Sequence, residues 1–186
     1  QWRLAEAVRN RAEQRGFGSA DRCLLLAPMH SLGSTRRILV PPLLLGGSVV
    51  CPPAIDGKSL VDILEQMQPT QLVASPVLLG SMLEEFERRV PRPRHCLKQI
   101  YSGYAELSAR LRQRLQEAFG VPIFIAYGMS ETTSIAETPL PPDRAPPGSV
   151  GRPTTLEVAI CDENGRRLGA EETGEVVVRG AEVFEG

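Results

Sequence analysis

Histidine and lysine are scarce in this chain: His30 and His95 are the only imidazoles, and Lys58 and Lys98 the only lysines, in 186 residues. Four cysteines, Cys23, Cys51, Cys96 and Cys161, lie far apart and form no CxxC pair, so a structural zinc site lacks its ligands. They read as reduced core or surface residues of a cytoplasmic protein. Charge of one sign is not in excess, since 21 Lys and Arg against 22 Asp and Glu leave a net charge of −1. That balance excludes a basic nucleic-acid face and a charged tail. A basic-then-apolar leader is missing at the N-terminus. The longest uncharged run, Ile38 to Ile55, has 18 residues, the length of a membrane span. Pro41, Pro42, Gly46, Gly47, Pro52 and Pro53 interrupt it, so it reads as a short helix, a Gly-Gly turn and a buried strand. No membrane span is expected. The chain opens on Gln1 rather than methionine and stops at Gly186 after a strand-like run, and both ends read as cuts through a longer polypeptide.

What is present is globular in kind, with 42% hydrophobic and 23% charged residues. Three apolar stripes repeat at helical spacing. Leu60, Ile63, Leu64 and Met67 follow Ser59 as N-cap and stop before Pro69. Leu79, Met82, Leu83 and Phe86 follow Ser75-Pro76, a cap and first-turn pair. Leu107, Leu111, Leu115 and Phe119 end at Gly120 and Pro122. The first dozen residues form a weaker helical pattern. Between these lie runs of strand length: Cys23–Leu26, Ser48–Cys51, Gln71–Ala74, Gln99–Ser102 and Ile123–Ala126. Strands alternating with amphipathic helices imply βαβ units, an α/β fold with a mostly parallel sheet and flanking helices over 1–136. The stretch 137–150 carries Pro139, Pro141, Pro142, Pro146 and Pro147 and reads as an ordered loop. Over 151–186 the period changes. Leu156, Val158 and Ile160 alternate, Asn164-Gly165 marks a turn, and Glu175–Arg179 follows as a strand, the start of a small β-rich segment.

Ligands of open parallel sheets bind beyond the carboxyl ends of the strands. Two such loops are rich in small and polar residues: Ser102-Gly103-Tyr104-Ala105-Glu106, and Tyr127-Gly128-Met129-Ser130-Glu131-Thr132-Thr133. The second offers a ring to stack on a base, hydroxyls for phosphate oxygens and a hard oxygen ligand for Mg²⁺. The same residues also suit a helix start, with Ser130 as cap and Glu131 in the first turn. His95, after a Pro-rich turn, reads as a solvated loop residue. A Gly-rich turn after the first strand would mark a dinucleotide site, but Leu26 is followed by Ala27-Pro28-Met29-His30.

The run YGMSETT resembles the YGMTE signature of the adenylate-forming superfamily: acyl-CoA synthetases, luciferases and peptide-synthetase adenylation domains. LAPMHSLGSTRRILVPPLLLGGSVVCPP, LKQIYSGYAELSARLRQRLQEAFG, PPGSVGRP and TGEVVVRG are similar to further elements of that family, in the required order. ETPLPPDRAPPGSVG is similar to a subgroup that includes oxalate–CoA ligase-like enzymes. The resemblance implies that the chain is part of a domain that binds ATP and Mg²⁺ and activates a small carboxylic acid. The product would be transferred to coenzyme A or to the phosphopantetheine thiol of a carrier protein. It implies that Tyr127 stacks on adenine, with the Gly103-Tyr104-Ala105 backbone on the purine's other side and Gly128 beside it. Ser130 would serve the α-phosphate and Glu131 the metal, as the catalytic pair. His30, Gly103 and Thr133 would border the acyl substrate. Gly151 and Arg152 match structural positions.

There are departures. Tyr104 and Glu106 replace the Gly and Pro of the Gly-Gly-Ala-Pro-Leu common in relatives, and Pro41-Pro42 fall in a segment usually helical. The family's phosphate loop, its ribose-binding aspartate and its catalytic lysine match nothing here, so this chain alone is expected not to complete adenylation. The alternative is a catalytically dead homologue serving as a structural or partner-binding module.

Overall fold

The computed structural model describes residues 8–9, 12–13, 15–26, 29–31, 33, 35–52, 56–142, 145–146 and 148–184. The helical pattern of the first dozen residues falls largely outside these. The chain divides into two compact units, Gln1–Ile125 and Ala126–Gly186.

In the first unit the strands β1 (Arg22–Leu25), β2 (Ser48–Val50), β3 (Gln71–Ala74), β4 (Gln99–Ser102) and the start of β5 (Ile123–Met129) are all parallel, in the order β2-β1-β3-β4-β5. The helices are α1 (Val40–Leu44), α2 (Gly57–Met67), α3 (Pro76–Arg88) and α4 (Ala109–Phe119). Register explains the core. Leu24, Leu72, Ile100 and Ile123 form one transverse row, each fully buried against Leu60 and Leu64 of α2, Leu79, Met82 and Phe86 of α3, and Leu115 of α4. The neighbouring row, Leu25, Val73, Tyr101 and Phe124, faces the other way onto Ile38, Phe17 and Ala12. Both faces of β3 and β4 are therefore covered, as central parallel strands require.

The helix ends follow local chemistry, with corrections. Ser75 caps α3 with Pro76 in the first turn, as the sequence implies. Asp56, not Ser59, caps α2, its Oδ1 accepting the Ser59 amide at 2.7 Å, so the helix starts earlier than expected. Gly57 opens that helix because a Cβ there would lie 2.5 Å from the Ser81 carbonyl oxygen of α3. Leu107 stands before α4 rather than in it, and Ser108 is the cap. Gly120, at φ 64, ends α4. Pro41 and Pro42 do not break the helix: they lie in the first turn of α1, where missing amides cost little, after a π-helical turn at Thr35–Leu39. β2 is not the buried strand expected. It is exposed to half-buried, because only β1 pairs with it at the sheet edge. No helix among the described residues is long and apolar enough to cross a membrane.

His95 is not a solvated loop residue. It is half-buried between the rings of Phe86 and Phe119, with centroids at 5.8 and 5.5 Å, and burial pushes its imidazole below the usual value.

Asp21 organises the amino ends of the strands. Its carboxylate, almost fully buried, accepts from the Gly18 amide at 2.8 Å, the Thr70 hydroxyl at 2.7 Å and Lys98 Nζ at 2.8 Å. Its own carbonyl accepts the Ser48 amide at 2.9 Å. Residues leading into β1, β2, β3 and β4 thus meet on one side chain and its carbonyl. Burial alone would raise the Asp21 pKa, but the hydrogen bonds from Lys98, Thr70 and Gly18 outweigh it and hold it below 3.8. The carboxylate's stabilisation is present above pH 3.8 and is lost as pH falls through the lowered folded value. Asp21→Ala is expected to cost about 2–3 kcal/mol at neutral pH, the penalty for buried donors left unpaired. The urea midpoint of this variant should then fall less than that of the parent chain between pH 5 and pH 3.

In the second unit, the rest of β5 pairs antiparallel with β6 (Thr133–Glu137), and β6 with β7 (Arg152–Pro153). β8 (Glu157–Cys161) and β9 (Glu175–Arg179) form a separate antiparallel pair. The expected Asn164-Gly165 turn is present. The Gly165 amide donates to the Asp162 carbonyl at 3.0 Å, and Gly165 sits at φ 76. All four cysteines are free.

Candidate functional site

The last parallel pair joining β4 to β5 is Ser102 with Ile125. The Gly103–Glu106 loop therefore leaves the first unit's parallel strands at their carboxyl edge. His30 lies exposed in the segment that leaves the carboxyl end of β1. In the first unit the sequence thus delivers His30 and the Gly103–Ala105 loop to strand ends of the expected kind.

The Gly103 amide donates to the Ala74 carbonyl at 3.3 Å, anchoring the loop to β3, and a Cβ on Gly103 would meet nothing within 4 Å. Tyr104 follows at φ 71, a left-handed conformation that a bulky residue rarely adopts, with 56% of its surface exposed. A glycine at this position would be unstrained. Tyr104→Gly is expected to stabilise the chain by about 1 kcal/mol, the left-handed penalty less the entropy glycine restores to the unfolded chain. A raised urea midpoint at unchanged slope is the check.

The YGMSETT segment is not a loop into a helix. β5 does not stop at Ala126 but runs to Met129, turns at Ser130–Thr132 and returns as β6. The physical reason is a change of partner. Pairing with β4 ends at Ile125, and antiparallel pairing with β6 carries the strand on, with Met129 opposite Thr133. Ser130 therefore caps no helix. The pairing register shifts between Tyr127 and Gly128, so the strand is irregular where the glycine lies.

This hairpin displays its chemistry. Tyr127 is 39% exposed, and Gly128, Ser130 and Glu131 are exposed. Neither the Ser130 hydroxyl nor the Glu131 carboxylate is bonded to another described residue. Thr133 opens β6. Thr132 differs from its neighbours: it is buried, and its Oγ1 has no partner among the described residues. Ser102 Oγ, at the end of β4, is in the same condition. Both fall within the two candidate loops of the sequence, which gives neither a role of its own, since a lone hydroxyl carries no pattern. Glu131 fits a divalent cation of the Mg²⁺ type, which is held by one or two carboxylates together with phosphate oxygens and water. It does not fit a metal enclosed by protein ligands alone, because no cluster of three or more His, Cys, Asp or Glu exists among the described residues. The two lysines do not join these loops as a catalytic group within the first unit: Lys98 is tied to Asp21 at the amino ends of the strands, and Lys58 is in the first turn of α2.

Known proteins share this arrangement of elements. The chain is 28% identical over 190 residues to an oxalate–CoA ligase of Arabidopsis thaliana, covering all of this chain and 37% of that protein. It is 30% identical over 191 residues to a probable CoA ligase, CCL9, of Humulus lupulus, again across its whole length and 36% of the relative. The chain thus spans little more than a third of the curated relatives it matches. Among solved structures, ATP-bound MatB from Rhodopseudomonas palustris superposes with a TM-score of 0.82 at 24% identity, over 98% of this chain and 36% of that one. An anthranilate CoA ligase in complex with anthranoyl-AMP gives 0.80 at 23% identity, over 95% and 35%. The family model described as AMP-binding enzyme matches residues 3–186, and with nearly every residue inside that match, the chain belongs to the AMP-binding enzyme family.

Proposed function

We propose that this chain supplies part of the nucleotide site of an ATP-dependent acid–thiol ligase. In the full-length protein a small carboxylic acid would first become an acyl-adenylate and then a thioester. Residues 1–136 would be an α/β subdomain of the AMP-binding domain, joined through the Pro-rich 137–150 loop to the start of a β-rich subdomain at 151–186. The observation that carries the reading is the β5–β6 hairpin, which presents a partly exposed tyrosine together with a hydroxyl and a carboxylate that are bonded to no other described residue.

In this reading Tyr127 stacks on adenine, Gly128 allows close approach, and the Gly103-Tyr104-Ala105 backbone borders the purine. Ser130 donates its hydroxyl proton to an α-phosphate oxygen. Glu131 is the protein ligand for Mg²⁺, which when bound supplies positive charge beside the phosphates. His30, Gly103 and Thr133 border the substrate carboxylate and orient it. A substrate carboxylate oxygen attacks the α-phosphorus, the bond to the β-phosphate oxygen breaks, and pyrophosphate leaves. The thiol sulfur then attacks the acyl carbonyl, its proton is lost and AMP departs. Negative charge grows at the α-phosphate in the first step, and a hydroxyl donor already in place there lowers that barrier. Both relatives are named as CoA ligases, so coenzyme A is the acceptor their names imply; a carrier-protein phosphopantetheine presents the same thiol chemistry. Free thiols and ATP as substrate suit a cytoplasmic protein.

The phosphate loop and catalytic lysine have no counterpart in this chain, so by itself it would not exchange pyrophosphate into ATP. A second reading, a dead homologue acting as a structural or partner-binding module, draws on the altered Tyr104-Ala105-Glu106 loop. Titration of the full-length protein with ATP and Mg²⁺ separates the two. Saturable, metal-dependent binding supports the ligase, and absence of binding overturns it.

A further inference from the structure

The turn that carries Ser130 and Glu131 is fastened from outside its own hairpin. The Phe184 amide donates to the Glu131 carbonyl at 2.9 Å. The segment that delivers this amide is itself tied down. Gly180 lies so close to Leu156 that a Cβ would come within 2.7 Å of Leu156 Cδ2. The Val183 amide closes a turn onto the Gly180 carbonyl at 3.2 Å. Thr155 Oγ1 donates to Glu182 Oε1 at 2.7 Å. Next to Thr155, Thr154 is bonded to the second strand of the hairpin, its amide to the Ile135 carbonyl at 3.1 Å and its hydroxyl to the Ser134 carbonyl at 2.5 Å. The contacts form a closed circuit that leaves the hairpin at Ser134 and Ile135 and re-enters it at Glu131. Burial of the Phe184 ring does not explain the circuit, because 63% of that residue is exposed. The backbone amide makes the connection.

We propose that Gly180–Phe184 is a positioning strap for Glu131, in which the Phe184 amide sets the direction of the carboxylate toward a divalent cation. The inference rests on the nucleotide-site reading above and adds to it a part of the chain with no assigned role. A carbonyl held at a tight turn fixes its own peptide plane, and with it the Cα–Cβ vector of the residue. Loss of a partner that orients a metal ligand typically costs about 10–100-fold in metal affinity.

The test uses Mn²⁺ as the metal probe, with free Mn²⁺ counted by electron paramagnetic resonance in the presence of ATP and full-length protein. Phe184→Pro removes the amide hydrogen. Phe184→Ala keeps it and reports what the ring contributes. The Mn²⁺ dissociation constant of the proline variant should be about tenfold above that of the alanine variant, the low end of the loss expected when a metal ligand's orienting partner is removed. Equal constants overturn the strap. If the proline variant does not melt cooperatively, Thr155→Val, which cuts the link to Glu182, decides instead. A constant raised about threefold, less than for the direct partner because Thr155 acts one link further out, supports the strap, and one equal to the parent protein's overturns it. Glu131→Ala is measured in parallel. Should it bind Mn²⁺ as the parent does, the nucleotide-site reading falls; should it lose binding while the proline and alanine variants agree, only the strap falls.

Discussion

Glu131→Gln in the full-length protein is expected to lower carboxylate-dependent pyrophosphate release by about 10²–10³-fold, the loss that follows removal of one preorganised group at a developing charge. The substitution is nearly isosteric and falls on an exposed turn, so the melting temperature should stay within about 2 °C of the parent value, as for surface changes that touch no buried partner. Glutamine keeps a neutral carbonyl oxygen, a much weaker ligand for a hard divalent cation than a carboxylate. The deficit should therefore shrink as Mg²⁺ is raised, whereas a defect in folding would not respond to the metal. Unaltered activity at limiting Mg²⁺ would remove Glu131 from the metal site.

The second large effect is structural and concerns Gly151, immediately before β7. Its φ of 108 belongs to a region that side-chain-bearing residues rarely enter, and a Cβ would sit 1.9 Å from the Glu137 carbonyl oxygen and 2.5 Å from the Thr138 nitrogen. Both obstacles are backbone, so neither can swing aside. Gly151→Ala combines a strained dihedral with overpacking and is expected to cost about 3–5 kcal/mol. That is a large fraction of the 5–15 kcal/mol typical of a whole domain. The damage should concentrate where β6 meets β7 through Glu137 opposite Arg152, and hydrogen exchange should report it as early loss of protection over β6. An alanine variant with the parent's urea midpoint would contradict this account.

Much of the fold was legible because the first unit obeys two simple periods. β3 and β4 match their apolar runs residue for residue, and α3 begins where Ser75-Pro76 announces it. Misreadings arose where a long-range partner overrode a local signal. Asp56 outcompeted Ser59 as a cap, because helix starts depend on which side chain reaches back to the N3 amide. β5 outran its apolar run because β6 returned to pair with it, a tertiary event invisible in Tyr127-Gly128-Met129. His95 looked polar and exposed in the sequence, yet two rings drawn from α3 and α4 enclose it. The residues of the candidate site were legible only as a family motif. Their composition alone suited a helix start equally well, and pairing with β6 decided against it.

Asp21 and its partners gather the amino ends of the strands in the first unit, while Gly103 and Tyr104 extend from the carboxyl ends. This polarity separates what the scaffold needs to stand from what it needs to discriminate. A tyrosine in a costly backbone conformation can be carried at one rim without loosening the opposite rim, where the strands are clamped. Sequence change in such a scaffold thus has a permissive margin and a forbidden one. Libraries diversified at 103–106 should retain folded members far more often than libraries diversified at Asp21, Thr70 and Lys98.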